Sequence, residues 1–225
     1  MQQIPLDFAI AAEPTLDNFV AGANVEVLGI VQALATGGGG EACVCLWGPP
    51  GSGRTHLLRA AVDRARQQGS VARYATHSLP DVDEAVASLL AVDDLDSLDA
   101  TDQMRLFSLL EAAARGELRL LLAAGNAPVA LSLREDVRTR VALGLVLQVR
   151  SLTDEQKRDA LAAHAHTRGF ELPDEVGDYL LLHGRRDLPS LMAVLDAADR
   201  YSLQSKRPVT LALVREVLER ARRGS

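Results

Sequence analysis

The residues Gly48-Pro49-Pro50-Gly51-Ser52-Gly53-Arg54-Thr55 have the types and spacing of a loop that grips phosphate. Glycines at 48, 51 and 53 let backbone N–H groups converge on an anion without side chains in the way. A helix beginning near Arg54 would aim its positive N-terminal end at the same point. Thr55 offers a hydroxyl to Mg2+, and His56 completes the set of candidate cofactor-binding residues. The pattern predicts binding of a nucleoside di- or triphosphate. Position 54 departs from the usual lysine. Arginine keeps the positive charge but replaces a compact ammonium with a broad planar fork. Phosphoryl transfer depends on accurate placement of charge, so fast hydrolysis is not expected.

A second group lies at Leu89-Leu90-Ala91-Val92-Asp93-Asp94. An apolar strand ending in carboxylates suits a Mg2+ position at the C-terminal edge of a parallel sheet. Asp93 is assigned to the metal, directly or through water. Asp94 is assigned to polarising the attacking water. Asp96 and Asp99 read as helix capping and surface solvation.

These groups need a scaffold, and the pattern of the chain supplies one. Strands are expected at 42–46, 71–75, 89–92, 118–123 and 145–149, with helices at 55–68 and 102–115 between them. This alternation predicts an α/β fold, a parallel sheet flanked by helices. Gly37–Gly40 reads as a surface turn before the first core strand. After Arg150 the chain reads as all helix. Thr153-Asp154-Glu155-Gln156 has capping-box spacing, Pro173-Asp174 and Asp187-Leu188-Pro189 open two further helices, and Thr210 caps a fourth. A boundary near 150 follows, with an α/β domain at 13–150, a small helical domain at 151–225, and a short extended segment at 1–12.

Composition narrows the function classes. Hydrophobic residues are 48% of the 225, enough for a sizeable core, and charged residues are 24%. The net charge of −6 disfavours simple electrostatic adsorption to nucleic acid or membrane. From Arg200 onward, seven basic residues face only two glutamates, a basic end that reads first as a solvated helix face. Apolar runs stay short of the roughly 18 residues that span a bilayer. The N-terminus carries no secretory pattern, so a cytoplasmic protein is expected. Cys43 and Cys45 read as reduced core thiols, and the five histidines show no metal spacing.

Together the motifs resemble the AAA+ ATPases, and more narrowly the DnaA clade. The resemblance covers nearly the whole chain, with Gly48–Thr55 at the Walker A position and Val92-Asp93-Asp94 at Walker B. Gly125-Asn126-Ala127-Pro128 resembles the clade's sensor 1 turn, which implies that Asn126 meets the γ-phosphate or the lytic water. Asp136-Val137-Arg138-Thr139-Arg140-Val141 resembles the box that carries the arginine finger. Arg140 takes that place, with Arg134 and Arg138 nearby. His183-Gly184-Arg185-Arg186-Asp187-Leu188 resembles the start of sensor 2, where Arg186 fits best and Arg185 competes. Thr15–Val20 and Gly22-Ala23-Asn24 resemble the opening segment that lies near the adenine. On this resemblance the helical domain is the lid.

Gln3-Ile4-Pro5-Leu6-Asp7-Phe8 resembles the hexapeptide with which bacterial proteins bind the sliding clamp, the DNA polymerase III beta subunit. Gln3, Ile4, Leu6 and Phe8 would seat in its groove. The sequence stops directly after the lid, with no room for the initiator's DNA-binding domain. The resemblance implies a regulator that holds ADP or ATP with Mg2+, docks on DNA-loaded clamps and stimulates ATP hydrolysis by the DnaA initiator through Arg140. Replication would then not refire. Intrinsic turnover would be weak, contact with DNA indirect, and self-association stays open. The competing readings are a helicase-loader- or clamp-loader-like AAA+ ATPase and a small-molecule P-loop kinase.

Overall fold

The computed structural model describes residues 13–38, 40–81, 88–185 and 187–223, with side chains through Arg220. These residues form two compact units, one spanning Pro14–Ser151 and one containing the helices after Leu152.

In the first unit, β1 (Cys43–Trp47), β2 (Ala72–Ala75), β3 (Leu89–Val92), β4 (Arg119–Ala124) and β5 (Leu145–Gln148) form one sheet in the order β2-β3-β4-β1-β5. Every pairing is parallel. The central strands are nearly continuous apolar runs because helices cover both their faces. Alternate residues separate cleanly. Val44 and Leu46, Leu89 and Ala91, Leu121 and Ala123 pack in one core with α1 (Val25–Thr36) and α2 (Arg54–Gln67). Cys45, Leu90, Val92, Leu120 and Leu122 pack in the other with α3 (Ala100–Ala114) and α4 (Glu135–Leu143). Burial pushes the Cys43 and Cys45 thiols up to about 12, so both stay protonated and inert.

Local chemistry sets the helix ends. Asp99 caps α3, its carboxylate accepting the Asp102 N–H at 2.8 Å. Gly37 ends α1 in the left-handed region at φ 77°.

The second unit packs α5 (Asp154–Thr167), α6 (Asp174–His183), α7 (Leu188–Ser205) and α8 (Leu211–Arg223) around Leu161, Val176, Leu180, Leu191, Leu195 and Val214. The Thr153–Gln156 capping box is formed in both directions and starts α5. His164 of α5 and Arg168 just after it reach Asp196 and Asp199 of α7 at 2.7–3.1 Å. Among the described residues, no helix is long and apolar enough to cross a membrane.

Candidate nucleotide-binding site

The parallel register brings the chemistry to one edge. β3, β4 and β1 are neighbours, and each ends in a loop singled out by the sequence: Asp93-Asp94, Gly125-Asn126 and Gly48–Thr55. A ligand crevice at the carboxyl ends of parallel strands is the expected outcome.

Within the loop, Gly48 is buried, and a Cβ there would stand 2.3 Å from the Val149 carbonyl oxygen. Only glycine fits. Gly51 and Gly53 have φ 79° and 102°, a region that costs other residues strain. Pro49 and Pro50 are exposed. Gly53 is the N-cap of α2 and so supplies no side-chain cap. Among the described residues, the N–H groups of Gly53, Arg54, Thr55 and His56 find no backbone acceptor. Unpaired first-turn donors at the positive end of a helix form an anion site. Ser52 Oγ is buried without a hydrogen-bond partner among the described residues. Such an orphan inside a loop of free donors fits a phosphate ligand. Arg54 is half-buried and Thr55 exposed at the same helix end.

His56 turns another way. Its Nε2 lies 2.9 Å from the Thr15 carbonyl oxygen, and its ring packs against Phe19 at 5.4 Å. Phe19 in turn closes on the loop, since a Cβ at Gly53 would meet its ring at 2.7 Å. Burial lowers the His56 pKa, and the bond to Thr15 only partly offsets this. The ring joins the opening segment to the phosphate helix.

Directly after β3, Asp93 is buried and both its oxygens are held. Tyr74 donates its hydroxyl to Oδ2 at 2.8 Å, and the Asp94 N–H donates to Oδ1 at 3.0 Å. The Arg59 guanidinium lies over the Tyr74 ring at 5.1 Å. Desolvation raises the Tyr74 pKa, and Asp93 raises it further. Asp94 is exposed and left-handed at φ 55°. Asn126 is exposed, and its turn is fixed by Asp96, which accepts the Gly125 N–H at 2.6 Å. Asp96 is thus more than a surface carboxylate: it ties the loop after β3 to the turn after β4. Among the described residues, no cluster of three or more His, Cys, Asp or Glu could hold a metal. Thr55 and Asp93 suit Mg2+, which keeps several waters and leans on few protein oxygens.

Solved structures share this architecture. Domain III of the Thermotoga maritima initiator DnaA superposes with TM-score 0.73 at 18% identity, covering 92% of this chain and 96% of that one. AMPPCP-bound DnaA from Aquifex aeolicus gives 0.68 at 19% identity, covering 88% and 71%. The Thermotoga maritima branch-migration motor RuvB gives 0.66 at 18%, covering 92% and 71%. At these identities the likeness establishes the fold, an AAA+ α/β unit followed by a helical lid. A Haemophilus influenzae protein described only as uncharacterized is 33% identical over 230 residues, covering 96% of this chain and 98% of that protein. The family model described as "Hda, lid domain" matches residues 154–218. The chain is an Hda-like AAA+ protein of the DnaA clade.

In this Hda-like protein the finger candidate lies on α4, away from the loop edge. Glu135 and Asp136 begin that helix, where carboxylates suit the dipole, and Gly144 follows its end. Arg140 donates from a terminal nitrogen to Glu111 Oε1 at 2.7 Å, and its guanidinium lies over the Phe107 ring at 4.6 Å. Both partners stand on α3, one turn apart. Arg134 pairs with Asp136 at 2.7 Å. Arg134, Arg140, Phe107 and the exposed Leu143 line an open groove of about 820 Å³.

Of the sensor 2 candidates, Arg185 is exposed and pairs loosely with Asp187 at 3.4 Å. Arg186 lies outside the described residues, as do Gln3, Ile4, Leu6 and Phe8 of the clamp-type hexapeptide. Two arginines of the basic C-terminal stretch are engaged within the lid, Arg215 over Tyr179 at 5.1 Å and Arg220 over Tyr201 at 5.4 Å.

Proposed function

We propose that this protein binds an adenine nucleotide in loop 48–55 and acts on the DnaA initiator, stimulating hydrolysis of the ATP that DnaA carries. The observation that carries the reading is one chain joining a phosphate-gripping loop, with arginine at its lysine position, to an Hda-type lid.

The unpaired backbone N–H groups at 53–56 and the Ser52 hydroxyl would gather around phosphate oxygens. Thr55 and Asp93 would hold Mg2+. When bound, ADP or ATP supplies the negative charge around which these donors are ordered. Arg54 contributes charge without the lysine's compact reach, which suits holding more than turnover. Asp94 and Asn126 are the residues through which any weak intrinsic hydrolysis would run.

Arg140 is the residue that acts outward. A guanidinium offered in trans stabilises charge developing on a transferred γ-phosphoryl group, an effect worth about 10³–10⁵ in rate where such fingers operate. Gln3, Ile4, Leu6 and Phe8 would seat on the sliding clamp and bring the protein to DNA, and this setting is cytoplasmic. The outcome is an initiator returned to its ADP form and no second round of initiation.

The test is ATP hydrolysis by DnaA with this protein present, with and without DNA-loaded clamp. Stimulation that needs the clamp and disappears with Arg140→Ala is the expected result. Stimulation surviving Arg140→Ala removes the finger assignment. Unchanged clamp affinity after Gln3→Ala with Leu6→Ala removes the docking half.

A further inference from the structure

We propose that Phe107 and Glu111 form a latch that stows Arg140 against its own protein, and that the finger works only after leaving it. The inference rests on the reading of Arg140 given above. Phe107 and Glu111 lie four residues apart on α3 and so share one face of that helix. The first presents a ring 4.6 Å from the guanidinium carbon, and the second an oxygen 2.7 Å from its nitrogen. Together they take one flat side and one edge of the fork.

Such a posture serves a finger poorly. A carboxylate in direct contact cancels the positive charge that a partner's γ-phosphoryl group requires, and it would itself repel that group. The guanidinium also lies folded onto its own α3, whereas action in trans demands extension. The hold is weak by construction, since the Arg140 side chain is 36% exposed and that of Glu111 41%. Exposed ion pairs and single ring contacts are broken at small cost. Docking of a partner whose phosphates outbid one carboxylate is enough to draw the arginine away. Of the nearby cations, Arg134 is paired with Asp136, and Arg115 is paired with Glu117 while also feeling the charge of Glu111.

The experiment compares wild type, Glu111→Gln, Arg140→Ala and the double variant for stimulation of ATP hydrolysis by DnaA. ADP and DNA-loaded clamp are present and the protein is subsaturating. The Glu111 side chain is 41% exposed and glutamine is isosteric with it, so the variant should fold and bind ADP as wild type does. Glu111→Gln should raise stimulation roughly two- to five-fold, the scale set by an exposed pair. The double variant should be as inactive as Arg140→Ala. The advantage of Glu111→Gln over wild type should shrink toward one as salt is raised, because salt already loosens the pair in wild type. If Arg140→Ala is inactive but Glu111→Gln is unchanged or weaker, the latch is refuted and the finger stands. If Arg140→Ala retains stimulation, the finger assignment fails and the latch with it.

Discussion

The side-chain amide of Asn24 clasps both backbone groups of Arg150. Its Nδ2 donates to the Arg150 carbonyl at 2.8 Å, and its Oδ1 accepts the Arg150 N–H at 2.8 Å. Asn24 stands where α1 begins, yet its side chain makes no cap and serves this distant strand end instead. Arg150 follows Val149, whose carbonyl touches Gly48 of the phosphate loop. Asn24 itself is 2% exposed. Removing it leaves two backbone polar groups without their partner. Asn24→Ala should therefore destabilise the first unit by about 1–3 kcal/mol in urea unfolding. A loss below about 0.5 kcal/mol would mean that water replaces the amide without cost.

Gly53→Ala tests the close approach of Phe19 to the loop. The new Cβ would require φ near 102° and would stand 2.7 Å from the ring. Both effects distort the donors at the start of α2. Calorimetry should show ADP affinity falling roughly ten-fold or more, since positive-φ strain alone costs about 1–3 kcal/mol. Adding Phe19→Leu should recover part of the loss, because it relieves the contact and leaves the strain.

His56 gives a pH signature. Its pKa in the folded protein is lowered by burial, so the folded state disfavours the protonated ring. The stability held by neutral His56 is present above the ordinary histidine value of about 6.5, and it is lost as pH falls below that toward the folded value. Unfolding followed from pH 7.5 to pH 5 should show wild type losing stability more steeply than His56→Gln. Parallel slopes would contradict the assignment.

Tyr74→Phe addresses the carboxylate at the end of β3. Without the hydroxyl, the Asp94 N–H is the donor left to Asp93 among the described residues, and the carboxylate can rotate. The expected result is a several-fold weaker effect of Mg2+ on ADP affinity, with ADP affinity in EDTA unchanged. An unaltered Mg2+ effect would place Tyr74 outside the metal's surroundings. The phenol should also titrate above its ordinary value of about 10 in the wild-type protein.

Much of this was legible in the residues because the signals were local. Apolar runs ending in glycines or aspartates marked the strands, and Thr153-x-x-Gln156 marked the start of α5. What escaped was long-range. The helix Val25–Thr36 was not anticipated, since its polar exposed face is diluted by Gly29 and by small and apolar residues. Asp96 read as a surface carboxylate, and only the fold brings it to Gly125, 29 residues later. His56 counted as a phosphate neighbour from its place after Thr55, yet its ring belongs to Thr15, 41 residues earlier. The Glu111 contact of Arg140 spans 29 residues and two helices, and no periodicity encodes it. Sequence spacing finds what one element presents; it is silent on which elements meet.

Adjacent parallel strands β3, β4 and β1 act as a ruler. Neighbouring rungs stand about 4.8 Å apart, a distance set by main-chain hydrogen bonding whatever the side chains are. The anion cradle, the carboxylate pair and the Asn126 turn therefore keep their separations when any one side chain is exchanged. Such a gauge can accept arginine at position 54, where lysine is usual, and leave the spacing of these three loops unchanged.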